Sequence, residues 1–239
     1  MFDKLVLNTF LLVLCYVYVI VVIVISGWML KISKSSGKYS RKFLHMMIGN
    51  LTFLIPFFTL NSFPLNFPFF VAAPFVAVTF LATSYSPSCV LRERLKGLSS
   101  ITENGHNLGL CFYAISYTLL ALFFSSRAHV IAAGVLPMAY GDALAAIVGE
   151  KYGKLHYCVF TKKSVEGSAV MFLVSFLIVN ASLVFFSAVY SLPMFALNWV
   201  SLAVALVTTL AEAFSPLGFD NITVPLLGAA VFLLLSGGI

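Results

Sequence analysis

Charge is what this chain has least of. Only 9% of its 239 residues are Asp, Glu, Lys or Arg, and 61% are hydrophobic; an ordinary soluble domain carries about a quarter charged residues and just under half apolar ones. Such a composition excludes a cytosolic globule, a disordered chain and a nucleic-acid binder. Acidic residues are the scarcest, eight against fourteen Lys and Arg. The four cysteines, Cys15, Cys89, Cys111 and Cys158, form no C-x-x-C pair, so they read as free thiols rather than as a metal or redox site. There is no Walker phosphate loop, because Gly149 and Gly153-Lys154 stand too close and Leu155 follows the lysine. There is no protein-kinase signature either, since Gly218-Phe219-Asp220 runs in the wrong order. Internal repeats, linkers and low-complexity tracts are also missing.

What is present is a succession of long apolar runs, at about 5–30, 43–60, 68–86, 108–126, 130–149, 167–190, 197–214 and 221–238. Within lipid only helices and closed barrels satisfy their own backbone. These runs are too long and too unalternating for barrel strands. The expected fold is all-α: a polytopic transmembrane helix bundle of about eight spans, with residues 1–239 forming a single catalytic domain. The first run reads as an uncleaved anchor, because its leading residues, Asp3 and Lys4, are nearly neutral and its positive cluster lies after it.

Twelve of the fourteen basic residues fall in three alternate loops: Lys31, Lys34, Lys38, Arg41 and Lys42; Arg92, Arg94 and Lys96; Lys151, Lys154, Lys162 and Lys163. Lys4 and Arg127 are left for the other side. Positive loops stay cytoplasmic, so both termini are expected on the non-cytoplasmic side. The basic loops are also the long ones, and chemistry is expected there.

Apart from Asp3, the acidic residues are Glu93, Glu103, Asp142, Glu150, Glu166, Glu212 and Asp220. All fall at or near the cytoplasmic ends of their spans. Asp142 is the deepest, about 10 Å inside Gly149 at 1.5 Å per residue. A carboxylate within a span is costly and marks function by default. Asp142 comes after Gly141 in a run of small residues that lets helices approach closely, and Pro137 is expected to kink the helix and free a carbonyl. Glu212 reads equally well as a helix-end carboxylate reaching toward headgroups.

The stretch 149–168 is the richest. Two glycines, Gly149 and Gly153, are expected to let the backbone approach a ligand. Lys162 and Lys163 offer point charges for phosphate. Glu166 and the open N–H groups of the next helix come directly after, where anions are favoured. A positive-inside loop on anionic lipid is the plainer reading of the same residues. Hard oxygen ligands beside basic residues suit Mg²⁺, which takes one or two carboxylates plus substrate phosphates. Phosphoryl and nucleotidyl transfer need mainly positioning and charge neutralisation. The residues therefore read as a magnesium-dependent transferase joining a cytoplasmic nucleotide to a lipid-borne acceptor.

Four segments, in order, resemble the integral-membrane polyprenol kinase family, which includes dolichol kinase, phytol kinase and CTP-dependent diacylglycerol kinases and is distantly related to phosphatidate cytidylyltransferase. They are Arg41-Lys42-Phe43-Leu44-His45 with Gly49; Gly141-Asp142 through Gly149 and Tyr152-Gly153; Lys162-Lys163-Ser164-Val165-Glu166-Gly167; and Asp220-Asn221-Ile222-Thr223-Val224-Pro225-Leu226. The resemblance implies CTP as phosphoryl donor and an isoprenoid or other lipid alcohol as acceptor. Spans five, six and eight each bring a carboxylate to the cytoplasmic end, and like charges so close need a cation, so Asp142, Glu166 and Asp220 are expected as the catalytic and Mg²⁺-ligating carboxylates. Lys162, Lys163, Arg41, His45, Asn221, Gly141 and Gly167 are then expected around the substrates. Arg41 and His45, four apart, share a helix face and read either as donor-phosphate ligands or as a snorkelling interfacial pair. His106, in Glu103-Asn104-Gly105-His106-Asn107, is a loop candidate at most. The short chain is closer to a phytol kinase core than to a eukaryotic dolichol kinase. It lacks the long Ser-Lys-Arg and His-Gly-Gly signature expected of a cytidylyltransferase. A CDP-lipid-forming cytidylyltransferase and a cation-coupled transporter using Asp142 and Glu212 are the alternatives.

Overall fold

The computed structural model describes residues 2–32, 38–95, 98, 108–191 and 197–237. Lys34, Lys96, Glu103 and His106 lie outside the described residues. The chain divides into two compact units, Met1–Ser126 and Arg127–Ile239.

In the first unit α1 (Phe2–Ile32), α2 (Lys38–Gly49), α3 (Phe67–Leu81), α4 (Cys89–Arg94) and α5 (Gly109–Phe124) are joined by turns and by a minimal antiparallel hairpin, β1 (Asn61–Ser62) with β2 (Leu65–Asn66). α1 packs on α2 and α3, and α3 packs on α5. The second unit holds α6 (Ala128–Tyr152), a hairpin of β3 (His156–Cys158) and β4 (Lys162–Ser164), then α7 (Val165–Tyr190), α8 (Asn198–Phe214) and α9 (Asp220–Leu235). α6 packs on α7 and α9, and α8 packs on α7 and α9. Among the described residues the only strands are these two short hairpins, so the protein is an all-helical membrane protein. Three helices, α1, α6 and α7, are long and apolar enough to cross a membrane, and α3, α5, α8 and α9 are shorter apolar helices.

The apolar run expected as the second span, 43–60, is not one helix. α2 stops at Gly49, and two 3₁₀ turns come next, Asn50–Phe53 and Ile55–Phe57. The reason is local. The Thr52 hydroxyl turns back onto the Gly49 carbonyl, and Pro56 has no N–H to continue a ladder.

Backbone groups released where helices break find side-chain partners. Pro74, inside α3, cannot donate to the carbonyl of Phe70; the Tyr16 hydroxyl donates to it instead at 2.6 Å. Tyr18 and Ser26 on α1 donate to the Met47 and Ser40 carbonyls of α2. Asn66 caps α3 by accepting from the Phe69 N–H, and its amide donates across to the Ala121 carbonyl of α5. Fully buried Asn8 does the most: its Oδ1 accepts the Thr59 and Leu60 N–H groups, both at 3.1 Å, and its amide donates to the Lys4 carbonyl and the Thr59 hydroxyl.

In the second unit α6 is the inner helix: 78% of its apolar window is buried, against 33% for α7. It can sit inside because Ala128, Ala132, Ala133, Gly134, Ala139 and Ala143 keep it thin.

Asn8→Leu should lower the thermal midpoint in detergent by the equivalent of about 1 kcal/mol or more, because two part-buried N–H groups lose their acceptor. Gly27→Ala, in the open on the same helix, should leave the midpoint unchanged or raise it.

Candidate active site

The site in the second unit begins with a helix defect. Pro137 opens a π-helical turn, Pro137–Asp142, in the middle of α6. A π turn carries one extra residue per turn and re-aims the side chains beyond it, often at a functional site. This one packs against α7, α8 and α9 together. It ends on Asp142, which is 5% exposed.

The hairpin after α6 sets the lysines. In β3–β4 the residue opposite Lys163 is Tyr157, and the one opposite Lys162 is Cys158. Successive strand residues point to opposite faces. Lys162 is accordingly exposed, while Lys163 turns inward and reaches α8. Its ammonium donates to the Glu212 backbone carbonyl and forms an ion pair with Glu212 Oε1 at 2.5 Å. The hairpin is held down by the Tyr157 and Ser168 hydroxyls, 2.6 Å apart.

Glu212 is 7% exposed and lies on the inner face of α8, in a buried stripe with Val200, Val204 and Thr208. The chain then turns through Gly218, whose φ of 82° falls in the left-handed region that suits glycine. The turn is tied by the Ser215 and Thr223 hydroxyls at 2.6 Å. α9 starts at Asp220, whose Oδ1 accepts from the backbone and side-chain N–H groups of Asn221. The charges of Lys163, Asp142 and Asp220 all act on Glu212. Three carboxylates from three helices and the hairpin ammonium thus form one electrostatic group.

Several expected site residues also make structural contacts. Glu166 turns back onto the loop: its Oε1 accepts the N–H groups of Lys154 and Leu155, at 2.9 and 3.2 Å. The glycines of the rich stretch are packing residues, contrary to the expectation that Gly149 and Gly153 open the backbone to a ligand. All three of Gly149, Gly153 and Gly167 face the Ser164 hydroxyl, and a Cβ on any of them would come within 3.0 Å of it. That hydroxyl caps α7 by accepting the Gly167 N–H at 3.1 Å. Gly141 turns its bare side to Met171 and Ser175, where a Cβ would be 2.5 Å from the Ser175 hydroxyl. Asn221 is buried and donates to the Gly218 carbonyl.

Arg41 and His45 belong to the first unit. Both are buried, so they are not a pair reaching out to headgroups. The His45 ring stacks on Tyr113 at 4.7 Å, and the Tyr113 hydroxyl donates to the His45 carbonyl.

Glu212 is the site residue that the motifs missed. The signal was the stripe at 200, 204, 208 and 212, a four-residue repeat that puts the carboxylate on the same face as two valines and a threonine.

No family model and no solved structure matches the chain. It is 37% identical over 205 residues to phytol kinase of Synechocystis sp., covering 84% of this chain and 81% of that protein. The chain belongs to the polyprenol kinase family. It is 30% identical over 202 residues to phytol kinase 1, chloroplastic, of Arabidopsis thaliana, covering 78% of this chain and 63% of that one. It is 28% identical over 231 residues to dolichol kinase EVAN of the same plant, covering 89% of this chain and 38% of that one. The chain thus spans less than two thirds of the plant phytol kinase and well under half of the dolichol kinase. In this member of the polyprenol kinase family, all the residues of the carboxylate group fall within the second unit.

Lys163→Met should cost about 3–5 kcal/mol of stability, because a buried carboxylate loses its ion-pair partner. Adding Glu212→Gln should recover much of that loss, whereas Lys162→Met alone should change stability by less than about 0.5 kcal/mol. Thermal midpoints of the four proteins in detergent check this. Equal losses for the two lysines would contradict the inward and outward faces of β4.

Proposed function

We propose that the protein is a CTP-dependent kinase that phosphorylates a membrane isoprenoid alcohol of the phytol, geranylgeraniol or dolichol type. The observation that carries the kinase reading is the 37% identity to a phytol kinase over most of both chains. The carboxylate group supports the choice of residues. In the reaction the γ-phosphoryl group passes to the alcohol oxygen, leaving CDP and a lipid monophosphate, and the hydroxyl proton goes to a nearby carboxylate. In this reading Asp142 or Glu212 takes that proton, and the two hold the cation that accompanies the nucleotide. Lys163 holds Glu212 in position and adds positive charge beside the phosphates.

Among the described residues no three acidic, histidine or cysteine side chains close on one point as a ready-made cage. In this reading Mg²⁺ takes one or two protein carboxylates and completes its shell with waters and substrate phosphates. Asp142 and Glu212 are the residues that would hold it; bound there, it would neutralise charge on the transferring phosphoryl group. Glu166, engaged by the hairpin backbone, orders the loop in this reading. Arg41, His45 and Lys162 are proposed on the resemblance alone as further phosphate contacts. The reading takes residues 1–239 as one catalytic domain with about eight spans, both termini outside and the site at the cytoplasmic face, and the charge asymmetry of the loops supports that orientation.

Purified protein with γ-labelled CTP, Mg²⁺ and a panel of prenols should transfer label to a prenol, much faster than from γ-labelled ATP, and EDTA should stop the transfer. Asp142→Asn should reduce it about 10²–10³-fold, as for a lost charge-stabilising group, while Glu93→Gln, exposed in α4, should be near neutral. Release of pyrophosphate with formation of a CDP-lipid would instead make the protein a cytidylyltransferase.

Orientation is tested by the native thiols. Cys89 and Cys158 are exposed, whereas Cys15 and Cys111 are buried. An impermeant maleimide should label Cys89 and Cys158 from the cytoplasmic side alone; labelling of the two from opposite sides would contradict the eight-span arrangement.

A further inference from the structure

In the second unit, α6 and α7 are both long and apolar enough to cross a membrane, and the β3–β4 hairpin is the short link between them. The hairpin therefore lies at a membrane boundary. Its own contacts hold it there in a fixed shape. β3 and β4 pair in register, the Val165 N–H donates to the Leu155 carbonyl, and the Tyr157 and Ser168 hydroxyls meet at 2.6 Å. Lys163 ties β4 down onto the last turn of α8 through Glu212. Phe160 is three residues from Lys163, ~10 Å at the rise of a strand. The tip thus stays near the level of the helix ends instead of standing off into water.

The tip is apolar and uncovered. Leu155 is 66% exposed, Phe160 64% and Val159 46%. The hairpin cannot turn them inward, because its inner face is taken by Tyr157 and Lys163. The α8–α9 turn, just past Glu212, exposes Leu217 and Phe219 at the same end. Charge around the tip is of one sign: residues 151–165 hold four lysines and no acid. Lys163 is engaged by Glu212, whereas Lys151, Lys154 and Lys162 are exposed. Lys151 lies over the Tyr152 ring, 5.1 Å from its centre. Large apolar side chains flanked by lysines suit a lipid interface, where apolar groups enter the headgroup boundary and ammonium groups meet lipid phosphates.

We propose that the β3–β4 hairpin is an interfacial anchor. Leu155, Val159 and Phe160 enter the headgroup boundary of the membrane that α6 and α7 cross, and Lys154 and Lys162 face the phosphates of anionic lipids in that leaflet. The anchor lies wholly within the second unit and does not depend on the reaction catalysed. A protein partner would also cover an apolar tip, but the membrane is already at the ends of both flanking helices, and its anionic headgroups complement the lysines. Since β4 carries Lys163 as well, seating the tip fixes the depth at which that ammonium meets Glu212.

Tryptophan fluorescence tests this. The chain has two tryptophans, Trp28 and Trp199. Replacing both by Phe and adding Phe160→Trp leaves a single reporter at the tip. All three positions are exposed, so the substitutions are accommodated. The full chain is placed in nanodiscs of phosphatidylcholine brominated near the headgroup end of its acyl chains, with and without phosphatidylglycerol. The brominated lipid should quench the reporter. Acrylamide should quench it about threefold less than free tryptophan, and phosphatidylglycerol should strengthen the lipid quenching about twofold. Lys154→Gln combined with Lys162→Gln should abolish the phosphatidylglycerol effect. Full quenching by acrylamide with none by brominated lipid overturns the anchor and leaves the tip in water, open to a soluble partner. Lipid quenching that neither phosphatidylglycerol nor the lysine substitutions alter overturns the pairing of the lysines with anionic headgroups.

Discussion

Two buried carboxylates, Asp142 and Glu212, have to be kept among apolar helices, and the second unit is arranged around that constraint. A buried charge costs several kcal/mol unless it is paired. Asp142, Glu212 and Asp220 come from helices separated in the chain, and Lys163 supplies an ammonium in contact with Glu212. Each neighbouring feature serves to deliver one of these groups. The π turn at Pro137 presents Asp142, the pairing of Lys163 with Tyr157 in the hairpin turns that lysine inward, and the left-handed Gly218 starts α9 at Asp220.

The second requirement is close approach. α6 has to lie inside its unit for Asp142 to reach the other carboxylates, so it is built from alanine and glycine. Where α6 ends and α7 begins, three glycines close around the Ser164 hydroxyl. That hydroxyl satisfies the first turn of α7, so one small side chain both caps a helix and fixes a crossing. Packing alone therefore explains much of the Gly- and Ser-rich character of the motif.

Long apolar runs made the helices legible in the sequence, and Asp142 stood out because it is the acid deepest within a span. The run at 43–60 misled because hydropathy does not register a threonine turning back on its own helix or a proline at the next turn. Lys162 and Lys163 looked equivalent because the stretch read as a loop; once it is a strand, adjacent residues face opposite ways. Glu166 reads as a ligand by its position at a helix start, and the path of the preceding loop adds the Lys154 and Leu155 amides on its Oε1, with Oε2 left without a hydrogen-bond partner. Glu212 was readable from its four-residue stripe, but its position at a helix end concealed it. Asn8 carried no signal, because its partners at Thr59 and Leu60 are far away in the chain.

The central claim is that Asp142 and Glu212 form the cation-binding part of a nucleotide site. The direct measurement is an electron paramagnetic resonance titration with Mn²⁺, standing in for Mg²⁺, on the purified protein in the presence of a non-hydrolysable CTP analogue. Wild-type protein should bind one nucleotide-dependent Mn²⁺, and Asp142→Asn and Glu212→Gln should each weaken it about tenfold or more, a loss of about 1.4 kcal/mol. Glu166→Gln should bind Mn²⁺ as wild type does. Undiminished Mn²⁺ binding in both Asp142→Asn and Glu212→Gln, with loss in Glu166→Gln, would contradict the account.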